Sequence, residues 1–239
     1  MAEATAEGGA RSAGPARSTR STRSTRLGVL LSGRGSNFLA IHEAIGRNEV
    51  PAEIAVVISD RPEAPGLARA RDLGLRAQAI PRREPSGDPL SREAHEDRVL
   101  AALDEVGVDW ICLAGYMRLL SPRFVTRYPR RILNIHPSLL PAFPGLRAQA
   151  QAVEHGVRVS GCTVHLVDEG LDSGPIVVQR CVAVAGDDSV DSLAARILAE
   201  EHRAYPEALR RLLTEPWRIE GRRLIFDRRT PRQTGDGTR

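Results

Sequence analysis

Apolar positions in this chain follow two rhythms that alternate. Short apolar runs at residues 27–31, 54–59, 76–80 and 110–114, and another from Arg131 to His136, have the length of buried strands. Between them, apolar residues recur three or four apart, the spacing of a helix with one buried stripe. Residues 37–47 put Phe38, Ile41 and Ile45 on one such stripe. Residues 64–73 read as a helix closed by Gly74, and Ser91 can cap a helix running to about Glu105. A short helix fits 122–128, and the Pro- and Arg-rich segment 81–90 fits a loop. The alternation predicts an α/β, Rossmann-like fold: a mainly parallel central sheet flanked by helices.

The second half changes pattern. Residues 145–155 should be helical, 162–167 and 176–184 should be strands joined by a polar loop, and 189–213 a long amphipathic helix. Residues 218–227 alternate about Glu220-Gly221, as a closing hairpin would. No internal repeat is present.

Composition narrows the class. With 239 residues, 41% of them hydrophobic and 27% charged, the chain can bury a core like an ordinary globular protein. No apolar run is long enough to span a bilayer, so no membrane association is expected. The formal charge of +4 is carried at the ends. Residues 1–26 hold +3 and residues 227–239 hold +2, which leaves −1 for the body. A nucleic-acid partner is therefore not expected. Residues 1–26, with Arg-Ser-Thr repeated, read as a disordered tail without a secretory h-region, and 227–239 as a flexible basic tail. Cys112, Cys162 and Cys181 lie in apolar runs without Cys-x-x-Cys pairing, which fits buried thiols in a reducing, cytoplasmic setting.

Three segments can carry chemistry. Ser32-Gly33-Arg34-Gly35-Ser36-Asn37 lies between a strand and a helix, where glycines and free helix-start amides can cradle an anion. Phe38 occupies the third glycine position of the dinucleotide fingerprint, and no Lys-Ser/Thr pair follows. A compact phosphate monoester fits better than a pyrophosphate. Asp60, at a strand end, suits a turn or cap better than a ribose contact. The second segment is Ile132-Leu133-Asn134-Ile135-His136-Pro137. Pro137 ends the strand, and alternation puts Asn134 and His136 on one face near its carboxyl end, where ligands of open α/β sheets bind. An amide donor beside an imidazole can stabilise an oxyanion and move a proton. The third is the acidic, Gly-rich loop Asp168-Glu169-Gly170-Leu171-Asp172-Ser173-Gly174-Pro175, from which a carboxylate could reach His136 and favour imidazolium. The six histidines show no paired zinc spacing, and no Gly-x-Ser-x-Gly elbow exists.

In this order the segments resemble the phosphoribosylglycinamide formyltransferases, folate-dependent enzymes of purine synthesis, over residues 27–226. Further markers are Ala114-Gly115-Tyr116-Met117-Arg118-Leu119-Leu120-Ser121, Gly161-Cys162-Thr163-Val164-His165 and Glu201-His202-Arg203-Ala204-Tyr205-Pro206. The resemblance implies a formyltransferase-type fold and transfer of formyl from 10-formyltetrahydrofolate to glycinamide ribonucleotide, without a metal. It assigns Asn134, His136 and Asp172 to catalysis. Gly35, Ser36 and Asn37 would hold the phosphate, and Glu201, His202 and Arg203 the sugar and glycinamide end. Arg92, Met117, Arg118, Leu119, Leu120, Asp168, Glu169, Gly170 and Leu171 would form the folate site. The chain departs from the pattern at Arg147, where relatives often carry histidine. The related methionyl-tRNA formyltransferases would add a carboxyl-terminal β domain and the formyltetrahydrofolate hydrolases an amino-terminal regulatory one; neither is expected here. A binding module without catalysis would not need the Asn134, His136 and Asp172 trio. No motif in the chain specifies an oligomeric state.

Overall fold

Leu27, Val29, Leu30 and Leu31 are all fully buried, so both faces of the first apolar run are covered, as an interior strand of a parallel sheet requires. The computed structural model describes residues 12–13 and 23–227. Its elements are β1 (Ser12–Ala13), β2 (Thr25–Leu31), α1 (Ser36–Gly46), β3 (Ala52–Ser59), α2 (Pro65–Asp72), β4 (Ala77–Ala79), α3 (Arg92–Glu105), β5 (Trp110–Leu113), α4 (Pro122–Arg127), β6 (Ile132–His136), α5 (Ala148–Glu154), β7 (Val159–Leu166), β8 (Ile176–Ala183), α6 (Val190–Thr214), β9 (Trp217–Glu220) and β10 (Arg223–Phe226). They form one sheet of order β1-β9-β10-β8-β7-β6-β5-β2-β3-β4.

The half β4-β3-β2-β5-β6 is wholly parallel, as the alternation of strand and helix predicts. The other half is mixed. β7 runs antiparallel to both β6 and β8, β9 and β10 form the expected hairpin, and β10 lies parallel to β8 through the Arg223–Ile176 pair. Periodicity could not show this change, because strand direction depends on which edges meet.

The capping signals act as expected. Ser91, Ser121 and Ser189 each accept a hydrogen bond from an amide in the first turn of the next helix, through Ala94, Phe124 and Ser192. The helix expected at 145–155 is shorter at its start. Gly145 (φ 79°) and Arg147 (φ 59°) are left-handed, so α5 begins only at Ala148. The expected tail also ends earlier than residue 26. Thr25 and Arg26 belong to β2, where the Arg26 amide donates to Asp109 at 2.8 Å. Ser12–Ala13 pairs with β9 at the sheet edge. The remaining tail residues, 1–11, 14–22 and 228–239, lie outside the described residues.

Two apolar clusters cover the sheet. One joins α1, α2, α5 and α6 to it through Phe38, Leu67, Ala152 and Ile197. The other joins α3 and α4 through Val99, Leu103 and Phe124 to Ile111 and Ile132. Along β6 the side chains alternate between them, Leu133 and Ile135 toward the first and Ile132 toward the second. Beyond Ile132 the second face changes from apolar to polar, and Asn134 and His136 are the next residues on it.

Tyr205 on α6 ties the layers together at this place. Its hydroxyl, fully buried, lies 3.0 Å from the Leu113 carbonyl and 2.9 Å from the Leu133 carbonyl, on neighbouring strands β5 and β6. Burial pushes its pKa well up, so it stays a donor. Tyr205→Phe should lower stability by about 1–3 kcal/mol, the usual effect of leaving buried acceptors short of a donor. Urea unfolding would show it as a lower midpoint at unchanged slope; a midpoint equal to wild type would contradict this role.

Candidate active site

Asn134 and His136 do share a face, and the antiparallel partner strand completes it. In the β6–β7 register Asn134 stands opposite His165 and His136 opposite Thr163. The Asn134 amide nitrogen lies 3.2 Å from His165 Nε2. His165 Nδ1 lies 3.0 Å from the Leu166 carbonyl, so that nitrogen carries the proton and bare Nε2 accepts from Asn134. Burial lowers the His165 pKa, outweighing Leu166 and Asp172, and keeps the ring neutral. His165 thus fixes which way the Asn134 amide points. One amide hydrogen is committed to His165 and the second is left for another acceptor.

Asp172 reaches this face from the loop between β7 and β8. Its Oδ2 lies 3.3 Å from His136 Nδ1 and accepts the Gly145 amide at 2.8 Å. Its Oδ1 lies 3.7 Å from His165 Nε2. Asp172 holds a positive φ of 49°, which aspartate tolerates better than most residues. The other His136 nitrogen, Nε2, lies 2.9 Å from the Phe143 carbonyl. Both ring nitrogens therefore face oxygen, and the doubly protonated ring can donate to both. His136 and His165 are almost wholly buried, so these contacts are little screened by water. A cavity of about 400 Å3 adjoins Asp172 and is lined also by Leu140, Pro141, Ile176 and Arg223.

The glycine loop turns tightly into α1. Gly35 is left-handed (φ 74°), and a Cβ there would come within 2.8 Å of the Gly66 Cα, so only glycine fits. No side chain caps α1, whose first residue is Ser36. Asn37 is buried and donates to Glu201 Oε2 at 2.7 Å, joining this loop to α6. Burial raises the Glu201 pKa, and the Asn37 bond partly offsets that. Asn37 Oδ1 and His202 Nε2 are buried without a partner, and burial lowers the His202 pKa. Unsatisfied buried polar atoms of this kind suit a polar ligand. Arg203 is not brought to this group. It is 68% exposed and pairs with Glu200 at 2.9 Å, because a residue two positions along a helix from Glu201 points nearly the opposite way.

Several large apolar side chains of the expected folate segments stand in the open. Met117 is 63%, Leu119 65% and Leu171 53% exposed, with Leu120 and Arg118 half-buried. Leu146, 80% exposed, joins this group without having been anticipated, because its place in an expected helix concealed it. Arg92 is the first residue of α3. It pairs at 3.4 Å with buried Glu96, whose Oε1 accepts the Ser121 amide at 2.8 Å, so it is linked to the end of the 117–120 segment. Asp168 braces its own loop, accepting from the Gly170 amide and the Ser173 hydroxyl, while Glu169 and Gly170 are exposed. Arg147 lies in solvent near Glu154. No cluster of three or more His, Cys, Asp or Glu side chains suited to a metal occurs among the described residues.

An amide beside a carboxylate-backed imidazole is chemistry suited to acyl-type group transfer. The chain belongs to the formyl transferase family, whose model matches residues 25–209. It is 40% identical to phosphoribosylglycinamide formyltransferase of Escherichia coli (strain K12), a match covering 81% of this chain and 87% of that protein. It is 45% identical to the trifunctional purine biosynthetic protein adenosine-3 of Drosophila melanogaster over 79% of this chain; the match spans 14% of that larger protein. The crystal structure of glycinamide ribonucleotide transformylase 1 from Symbiobacterium toebii superposes with a TM-score of 0.80 at 52% identity, covering 85% of this chain and 94% of that one.

The neutral Nδ1–H form of His165 is directly measurable. Its folded pKa lies below the ordinary 6.5, so the unfolded chain binds more protons as pH falls through 6.5, and stability is lost in that window. Imidazole nitrogen NMR should find His165 as the Nδ1–H tautomer, titrating below 6.5. Titration at or above 6.5 would contradict the assignment.

Proposed function

We propose that this protein transfers the formyl group of 10-formyltetrahydrofolate to the amine of glycinamide ribonucleotide, giving formylglycinamide ribonucleotide and tetrahydrofolate in de novo purine (IMP) biosynthesis in the cytoplasm. The observation that carries the reading is the meeting of Asn134, His136 and Asp172 around His165 in a chain of the formyl transferase family. In this reading the ribonucleotide phosphate lies on the amides at Gly35, Ser36 and Asn37, with Glu201 and His202 toward the sugar. The folate lies along residues 117–120 and the 168–171 loop, with Arg92 drawing its carboxylates. Holding both substrates in one cleft can contribute ~7–11 kcal/mol of rate acceleration through orientation alone.

The neutral glycinamide nitrogen attacks the formyl carbon. A carbon–nitrogen bond forms and the carbonyl oxygen becomes an oxyanion. The second amide hydrogen of Asn134 is aimed at that oxygen, a kind of contact whose removal costs about 3–4 kcal/mol of barrier. His136 also stabilises the oxyanion and protonates N10 of the folate as the carbon–N10 bond breaks. The attacking nitrogen releases a proton, so the two transfers balance. Asp172 orients His136 and takes up proton charge directly or through water. Productive binding exchanges the Phe143 carbonyl at His136 Nε2 for the reacting atoms.

His136→Ala and Asp172→Asn should each lower kcat about 100-fold or more with small changes in KM, the behaviour of groups acting in the transition state. Wild-type kcat in a folded His136→Ala protein would remove this role. Ser36→Ala should instead mainly raise KM for the ribonucleotide, and an unchanged KM would count against the phosphate assignment. The proposal itself is tested by following folate deformylation by absorbance with and without glycinamide ribonucleotide. Turnover that requires the ribonucleotide supports it. Deformylation without the ribonucleotide would indicate a hydrolase, and no turnover would contradict the transfer.

A further inference from the structure

Three neighbouring strands, β5, β2 and β3, release their chains at the same end of the sheet, and one buried hydroxyl connects the three loops that leave them. Ser32, 2% exposed, comes directly after β2 and opens the glycine loop. Its Oγ donates to Asp60 Oδ1 at 2.6 Å, and Asp60, 8% exposed, comes directly after β3. The same Oγ accepts the Met117 amide at 3.0 Å, and Met117 opens the 117–120 segment after β5. The Ser32 amide donates to the Gly115 carbonyl at 3.0 Å. From the other side the Gly33 carbonyl accepts the Gly66 amide at 3.0 Å, fixing the loop against the start of α2.

We infer that Ser32, oriented by Asp60, is a positioning residue that holds the phosphate loop and the 117–120 segment in one relative geometry, so that both substrates depend on it. This rests on the formyl-transfer reading. The chemistry of the hydroxyl makes the link directional. It has one proton, and a carboxylate 2.6 Å away takes it. The lone pairs then face the Met117 amide, and donation to a charged acceptor strengthens acceptance on the other side. Alanine would break both bonds at once and leave the Met117 amide to find another acceptor. The Asp60 carboxylate bonds to the Ser32 hydroxyl rather than to the glycine amides or residues 117–120, so its effect passes through Ser32.

The two assigned loops are thereby tied at one atom, which separates this residue from others at the site. Ser36 belongs to the phosphate loop alone, and its loss should affect only the ribonucleotide. Ser32 belongs to both.

The test compares Ser32→Ala, Asp60→Ala, Asp60→Asn and Ser36→Ala with wild type in the transfer assay, together with amide hydrogen exchange at Met117. Loss of one buried hydrogen bond corresponds to roughly a tenfold effect. Ser32→Ala and Asp60→Ala should therefore raise KM for both substrates about fivefold to tenfold while kcat falls less, and exchange at Met117 should quicken. Asp60→Asn keeps an oxygen acceptor for the Ser32 hydroxyl and should stay within about twofold of wild type. An unchanged folate KM in folded Ser32→Ala, or Met117 exchange equal to wild type, overturns the inference. If Ser32→Ala does not fold, the Asp60→Ala and Asp60→Asn pair decides in the same way: equal KM values for the two variants overturn it. Wild-type protein without ribonucleotide-dependent turnover would instead defeat the formyl-transfer reading, with Met117 exchange still deciding whether the hydroxyl holds the segment.

Discussion

The Asp172 carboxylate is the point from which the site is organised. One oxygen serves the His136 ring and the Gly145 amide, and the other faces His165. Three segments converge on one side chain: the end of β6, the turn before α5, and β7. The loop that carries Asp172 is itself tightly constrained. A Cβ at Gly174 would come within 1.8 Å of the Leu166 carbonyl, so this return of the chain requires glycine there. Asp168 and Ser173 close the loop from within. The carboxylate is thus placed by backbone sterics and local hydrogen bonds rather than by its own contacts alone, which is how a charged group can be held almost fully buried beside two imidazoles.

The same arrangement divides the labour between the histidines. His165 is kept neutral by burial and uses its bare nitrogen to orient Asn134. His136 has oxygen at both ring nitrogens, the Asp172 carboxylate at Nδ1 and the Phe143 carbonyl at Nε2. Around them the fold leaves apolar side chains such as Met117 and Leu119 uncovered. That exposure stands out in a chain whose core is otherwise well covered, and it is the mark of a surface that gains from a flat, partly apolar ligand.

Much of this was legible along the chain because the signals were local. Apolar runs placed the strands, Ser91, Ser121 and Ser189 marked helix starts, and Pro137 ended β6 where side-chain alternation put Asn134 and His136 together. The glycines of the 32–37 loop mark a tight turn, and Gly35 packs against Gly66. What stayed hidden depended on register and on long-range pairing. His165 looked like one more histidine in an apolar strand, and its role appears only once β7 runs antiparallel and sets it opposite Asn134. Ser32 and Asp60 lay at the ends of separate strands, and nothing local says that their side chains meet. Arg203 shares a sequence motif with Glu201, which bonds Asn37, yet helical geometry turns Arg203 to Glu200 and solvent.

In the proposed transfer a formyl carbon passes directly to an amine at the Asn134, His136 and Asp172 face. This is tested with 10-formyltetrahydrofolate labelled with 13C in the formyl group and glycinamide ribonucleotide labelled with 15N at the amine, followed by NMR during turnover. Direct transfer gives a product signal with one-bond 13C–15N coupling that grows as the folate signal falls. Release of 13C-labelled formate without coupling, with the ribonucleotide unchanged, would contradict it.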